Sequence, residues 1–247
     1  MNSFKIGLTS TTFKKKTIKE VVEAAKKAGI SYIEWGERCH INSLKDAKEA
    51  KTLCDEAGIE ISSFGSYYAI GSGDETEHKR LCELTKAMGA DSIRIWLGKK
   101  NSEETDEAEY KKLLDDAEKL CDTAAEYGIF ICAECHDHTF NNNTDAILKF
   151  TAELGRENFR TYYQSRYFRF DYDLDRIDRT YAITKDVHVS YSEVTREQRF
   201  RKKNRKYLDT ILKKFREKNF DGIVMLEFTK RAKVRNLIRD VEKLRKY

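Results

Sequence analysis

Four short strand-like runs in the second half of the chain each end on a potential metal ligand. They are Ile-Cys-Ala-Glu134, Thr-Tyr-Tyr-Gln164, Asp-Val-His188 and Val-Met-Leu-Glu227. Two carboxylates, an amide oxygen and an imidazole together form a donor set for a divalent cation. A charged side chain inside or at the end of an apolar run is expensive unless it is paired or metal-bound, which makes Glu134 and Glu227 the most informative single positions. Each residue alone has a plainer reading. A glutamate at a strand end can simply begin a loop, and a lone histidine such as His188 is more often a hydrogen-bonded core residue. If the four strands are neighbours in one parallel sheet, however, the four side chains converge on one point. An imidazole ligand favours manganese, zinc, cobalt or iron over magnesium. Fewer than six protein ligands leaves positions for water or substrate, as a catalytic ion requires. The expected cofactor is therefore one divalent metal ion.

The elements that must position these residues recur along the whole chain as strand, loop, amphipathic helix and short turn. Strands are expected at 4–9, 32–35, 60–64, 92–97, 129–134, 159–164, 186–191 and 222–228. Helices are expected at 17–27, 43–57, 75–88, 107–127, 144–154, 203–218 and 234–246, with a weaker stretch at 174–182. The first helix starts on Thr-Ile-Lys-Glu20, a capping box, and its apolar positions Val21, Val22, Ala25 and Ala28 recur at helical spacing. Gly29, Gly58, Gly89, Gly128 and Gly155 follow helices where a left-handed C-terminal residue is wanted. Alternating strands and helices force a parallel sheet with helices outside, and eight such units are the number that closes a barrel. The predicted fold is an α/β (β/α)₈ TIM barrel as a single domain over residues 1–247. An open doubly wound sheet is the rival, but the segment after the first strand, Thr-Ser-Thr-Thr-Phe-Lys-Lys-Lys, lacks a glycine-rich phosphate loop. In a barrel, Glu134, Gln164, His188 and Glu227 would close strands 5 to 8 at the C-terminal mouth, where active sites of this fold lie.

The bulk numbers agree with a large soluble domain. Charged residues make up 36 %, and the net charge of +5 from 47 basic and 42 acidic residues does not by itself imply a nucleic-acid partner. No run is long and apolar enough to span a membrane. The start, Met-Asn-Ser-Phe-Lys-Ile-Gly, runs straight into a strand without a leader pattern. A cytoplasmic location with free thiols is therefore expected for the six cysteines. Cys132 and Cys135 are spaced as Cys-x-x-Cys, but no second pair completes a four-thiolate zinc site. Proline is absent.

These residues resemble the xylose-isomerase-like TIM-barrel superfamily, which includes sugar isomerases and epimerases, inosose dehydratases and AP endonucleases. The resemblance runs through Ile-Gly-Leu-Thr-Ser10, Tyr-Ile-Glu-Trp-Gly36, Ile-Arg-Ile-Trp-Leu-Gly98, Ala-Glu-Cys-His136, Thr-Tyr-Tyr-Gln164, Val-His-Val189 and Leu-Glu-Phe228. It implies that Glu134, Gln164, His188 and Glu227 hold the metal. It also implies that Glu134 and Glu227 act as an acid/base pair on opposite faces of a bound sugar, through a metal-stabilised enediolate. The expected activity is a metal-dependent isomerase or epimerase of a small sugar, polyol or sugar phosphate in carbohydrate metabolism. A lyase of the inosose-dehydratase type and a non-catalytic sugar-binding barrel are the alternatives. Homo-oligomerisation is left open. An AP endonuclease needs a trinuclear zinc cluster with more histidines, whereas the chain has five in all and Tyr167 stands where one is required.

Arg94, Trp96, Lys99 and His136 are the candidates for shaping the substrate pocket. For Arg94 the competing reading is a structural salt bridge, for Trp96 core packing, and for Lys99 and Lys230 a solvated lysine. His136 fits a general acid, a supporting group or a substrate contact. The chain departs from the family at Gln164, where many members carry aspartate. It departs again in the basic run Arg196, Arg199, Arg201, Lys202, Lys203, Arg205 and Lys206, which reads either as an anion-binding lid or as a solvated helix start.

Overall fold

Eight strands pair in parallel in chain order and close, β1 against β8, into a barrel. They are β1 (Lys5–Thr9), β2 (Tyr32–Gly36), β3 (Glu60–Ala69), β4 (Ser92–Trp96), β5 (Phe130–Glu134), β6 (Phe159–Gln164), β7 (Thr184–Val189) and β8 (Ile223–Leu226). Among the described residues, eight helices surround them: α1 (Ile18–Ala28), α2 (Leu44–Ala57), α3 (Glu75–Met88), α4 (Glu107–Glu126), α5 (Thr144–Leu154), α6 (Phe170–Thr180), α7 (Tyr207–Glu217) and α8 (Val234–Leu244). These elements come from a computed structural model that describes residues 3–165, 170–192 and 207–247. No helix among the described residues is long and apolar enough to cross a membrane.

The local chemistry behaves as the sequence suggests. Thr17 and Glu20 cap α1 reciprocally, and Gly29 ends it at φ 66°. Val21, Val22, Ala25 and Ala28 are buried against the barrel wall. Strands covered on both faces carry near-continuous buried runs, as in Ile93-Arg94-Ile95 and Ile131-Cys132-Ala133. All six cysteines are free, and Cys132 packs inside the barrel with Tyr162, Ile223 and Met225.

β3, α6 and β7 depart from the expected spans. β3 continues to Ala69, five residues beyond the expected end, with a register break between Gly65 and Ala69. Its Gly-Ser-Tyr-Tyr stretch has loop-like composition, but the Ser66 hydroxyl holds it by donating to the Arg94 carbonyl at 2.7 Å. α6 begins at Phe170 and buries Asp173 and Arg176, so its inner face does not read as apolar. β7 lies two residues upstream of the expected span. The basic run from Arg196 to Lys206 and Tyr167 lie outside the described residues.

A buried polar network fixes the turn after β3. The Tyr68 hydroxyl donates to Asp116 on α4 at 2.9 Å and lies 2.8 Å from His78 Nε2 on α3. Asp116 also accepts from the Gly71 amide at 2.6 Å. The loop that follows β3 is thereby tied to two helices.

Candidate metal centre

The ladders bring the candidate ligands to one end of the barrel. Glu134 and Gln164 are the last residues of β5 and β6, and Gln164 pairs directly with His188 of β7. His188 is the penultimate residue of β7 rather than its end. Glu227 follows the last residue of β8, but its amide still donates to the Val189 carbonyl at 2.9 Å, so the ladder places it too. One ligand atom from each of Glu134, His188 and Glu227 lies within 4.8 Å of the others. His188 Nδ1 is 3.5 Å from Glu134 Oε1 and 3.6 Å from Glu227 Oε2. Gln164 Nε2 donates to Glu227 Oε2 at 3.1 Å, which brings the fourth candidate to the same cluster.

Arg94 and Trp96 stand two apart on β4 and share a face. Both donate to the same oxygen, Glu134 Oε2, at 2.6 and 2.8 Å. The Arg94 guanidinium also donates through Nε to Glu34 Oε1 at 3.2 Å. Arg94 thus makes a buried salt bridge, and one of its partners is a candidate ligand. Glu34 on β2 was not among the sequence candidates, although a carboxylate between Ile33 and Trp35 carries the same cost argument that singled out Glu134. Its side chain is 1 % exposed, accepts from the Ser63 hydroxyl at 3.0 Å and lies 3.4 Å from His188 Nε2. Gly65 on β3 makes room for this pairing. A Cβ there would sit 2.9 Å from both Arg94 Nη2 and Glu34 Oε1.

His136 lies at the rim, its ring 5.4 Å from that of Trp96, while Tyr67 meets Trp96 edge-on at 5.5 Å. His136 Nδ1–H donates to the Asp137 carbonyl at 2.7 Å, which leaves Nε2 as the acceptor of the neutral ring. Lys99 is exposed and lines a separate cavity of about 280 Å³ with Gly71, Ser72, Gly98 and Leu113. Lys230 is exposed.

The buried charges do not balance by themselves. Glu34, Glu134 and Glu227 face a single guanidinium, which leaves a surplus of two negative charges when His188 is neutral. Protonation partly answers this in the ion-free chain. Burial alone would lower the His188 pKa, but Glu34, Glu227 and Glu134 outweigh it and hold the imidazole well above its ordinary value. Burial, with Glu134 and Glu34 adding to it, pushes the Glu227 carboxyl up to about 7. Glu134 goes the other way. Burial would raise it, yet Arg94 and then His188 pull it well below the usual carboxylate range. A divalent cation is the charge this set lacks. Three buried atoms here are also without a hydrogen-bond partner: His188 Nδ1, His188 Nε2 and Gln164 Oε1. Nδ1 and Oε1 are groups that an ion beside Glu134 and Glu227 would satisfy, so the residues fit a metal.

The family model described as xylose isomerase-like TIM barrel matches residues 22–247. No curated protein matches the chain. Among solved structures, the probable 3-DHS dehydratase AsbF of Bacillus anthracis superposes with a TM-score of 0.77 at 16 % identity, covering 97 % of this chain and 98 % of the other. The 3-keto-D-glucoside 4-epimerase YcjR of E. coli does so with a TM-score of 0.77 at 15 % identity, covering 99 % and 100 %. A D-psicose 3-epimerase solved in the presence of D-fructose gives 0.73 at 15 % identity, covering 97 % and 96 %. At these identities the likeness is one of fold.

Proposed function

The chain belongs to the xylose isomerase-like TIM-barrel family, and from that premise we propose that it is a divalent-metal-dependent isomerase or epimerase of a small sugar or polyol. The observation that carries the reading is the convergence of Glu134, His188 and Glu227 at the barrel mouth, with His188 Nδ1 and Gln164 Oε1 buried and unpartnered. Glu134, Gln164, His188 and Glu227 would hold the ion. When bound, it supplies a Lewis acid for the carbonyl and hydroxyl oxygens of the substrate.

The chain's own residues divide the remaining work. Arg94 and Trp96 anchor one oxygen of Glu134, and Gln164 anchors one oxygen of Glu227. Each glutamate therefore keeps a fixed carboxylate plane and one oxygen free of those donors. One glutamate takes the proton from the carbon beside the carbonyl, and the other returns a proton to the opposite face or to the neighbouring carbon. Trp96, Tyr67 and His136 form a partly buried aromatic rim suited to the apolar face of a sugar ring, with His136 Nε2 available to accept from a hydroxyl. The solved epimerases that act on ketoses and keto-glucosides support this substrate class, and the dehydratase with the same fold supports a lyase as the second reading.

Two measurements test the proposal. Metal analysis of the purified chain should find about one divalent ion, lost in the Glu134→Gln/Glu227→Gln double variant. Full occupancy in that variant would remove the site. A panel of ketoses, aldoses and polyols in deuterated water should yield product carrying deuterium beside the carbonyl. Net loss of water instead identifies a lyase, and binding without turnover across the panel identifies a non-catalytic barrel.

A further inference from the structure

The proton-transfer reading leaves Glu34 without a task, although it is a buried carboxylate on β2, separated from β8 by β1 alone and close to His188 of β7. We infer that Glu34 is a positioning residue for the metal centre. Its Oε2 stands 3.4 Å from His188 Nε2, placed to take that N–H when an ion engages Nδ1 and so to keep Nδ1 turned toward Glu134 and Glu227. The inference rests on the metal-site reading above and adds the group that orients its imidazole.

The geometry divides the His188 ring between two sets of neighbours. Nδ1 faces Glu134 and Glu227 at 3.5 and 3.6 Å, and Nε2 faces Glu34 Oε2 at 3.4 Å. A neutral imidazole that ligates through one nitrogen carries its proton on the other, and the acceptor of that proton decides which nitrogen is free. Inside the barrel the acceptor facing Nε2 is Glu34. Tyr162 meets the ring edge-on at 5.2 Å and 81°, which limits its rotation.

Glu34 is itself held. Ser63 donates to the same Oε2 that faces His188, and Arg94 Nε donates to Oε1. Gly65 leaves the space these groups occupy. Three consecutive strands thus build a seat for one carboxylate. Neutralising Arg94 alone does not require it, since Glu134 already accepts from Arg94 at 2.6 Å. The additional contact that Glu34 makes is the one to His188.

The test uses two substitutions with opposite defects. Glu34→Gln keeps the length and loses the charge, whereas Glu34→Asp keeps the charge as a partner for Arg94 and withdraws the acceptor from His188. Calorimetric titration of the apo chain with Mn²⁺ should show one site in the wild type, weakened about 10–100-fold in both variants, the usual cost of losing such a supporting contact. In the zinc-loaded wild type, histidine 1H–15N spectra should show His188 protonated on Nε2, with that proton exchanging slowly. Exchange should speed up at least about tenfold in Glu34→Asp, a change that a merely structural carboxylate would not produce. Unchanged Mn²⁺ affinity in both variants, or a zinc-loaded wild type protonated on Nδ1, overturns the assignment of Glu34 and leaves the metal site standing. A wild-type chain that binds no Mn²⁺ overturns the metal site itself, and this inference with it.

Discussion

Gln164 and His188 are direct partners in the β6–β7 ladder, and the amide of Gln164 reaches past that pair to donate to Glu227. Glutamine at this position therefore ties Glu227, the residue after β8, to β6 while its own Oε1 stays unpartnered. Gln164→Asp replaces the donor with a third anionic ligand. The metal-free variant should be less stable than the wild type, because two carboxylates then face each other in a buried site. Its Mn²⁺ affinity should rise by about tenfold or more, equivalent to about 1.4 kcal/mol. Calorimetric titration reads both proteins, and an aspartate variant that binds no more tightly takes position 164 out of the ligand set.

Arg94 is the cation on which two buried carboxylates depend. Arg94→Met leaves Glu34 and Glu134 without it, and breaking a buried pair from one side costs about 3–5 kcal/mol. Urea unfolding of the metal-free variant should show a loss of this order. Saturating Mn²⁺ should restore a larger increment to the variant than to the wild type, because the ion then supplies positive charge that Arg94 no longer provides. Equal increments in the two proteins would mean that ion and guanidinium do not share Glu134.

Trp96 offers an optical reading of the same carboxylate. The chain has two tryptophans, and the other, Trp35, is fully buried away from Glu134 in contact with His40. The Trp96 indole N–H donates to Glu134 Oε2, so a change at Glu134 alters the polar environment of that ring. Zn²⁺, which does not quench by itself, should shift the intrinsic fluorescence, and Trp96→Phe should abolish most of the response. A full response in that variant would trace the signal to Trp35.

His40 gives the fold a pH dependence independent of the metal centre. Its Nδ1 lies 3.0 Å from the Ser10 hydroxyl and its Nε2 3.1 Å from the Lys16 carbonyl. Burial holds its pKa below the ordinary 6.5, although the Lys16 and Phe13 carbonyls oppose this. The unfolded chain therefore takes up a proton here at a pH where the folded chain does not. The stabilisation is present above the unfolded pKa and is lost as pH falls through and below it, at a rate of at most about 1.4 kcal/mol per pH unit. His40→Gln removes the titration. The stability of the wild type relative to this variant should fall from pH 7.5 to 5.5 in urea melts, whereas parallel curves would show that His40 binds protons alike in both states.

The barrel and most of its mouth were legible because strand-end chemistry and helix caps are local signals. Thr17, Glu20 and the glycines after the helices mark element ends through backbone geometry alone, and Glu134, Gln164 and His188 stand out as polar ends of apolar runs. Glu34 was missed for a reason that is itself physical. Its partners Ser63, Arg94 and His188 lie 29, 60 and 154 positions away, so nothing nearby in sequence marks it as paired rather than as an ordinary half-buried strand residue. α6 was obscured similarly, because Asp173 and Arg176 are buried and find partners in Tyr163, Tyr207 and Asn141 from other elements. Lys99 shows the converse. It follows β4 closely in sequence, but the left-handed turn at Gly98 (φ 75°) precedes it, and its side chain lines a neighbouring cavity instead.

The interior layer at the C-terminal end of the strands draws side chains from β2, β4, β5, β6 and β7 and from the residue after β8, and charged and polar contacts link it where the rest of the barrel relies on apolar packing. An ion seated there binds the folded chain and finds no such site in the unfolded one. At a hundredfold excess of free ion over its dissociation constant, the folded state gains about 2.7 kcal/mol. For a protein of ordinary marginal stability, that increment changes the fraction exposed to proteases by about a hundredfold. If the proposed site holds an ion, the lifetime of the protein in a cell would then follow the local supply of that ion.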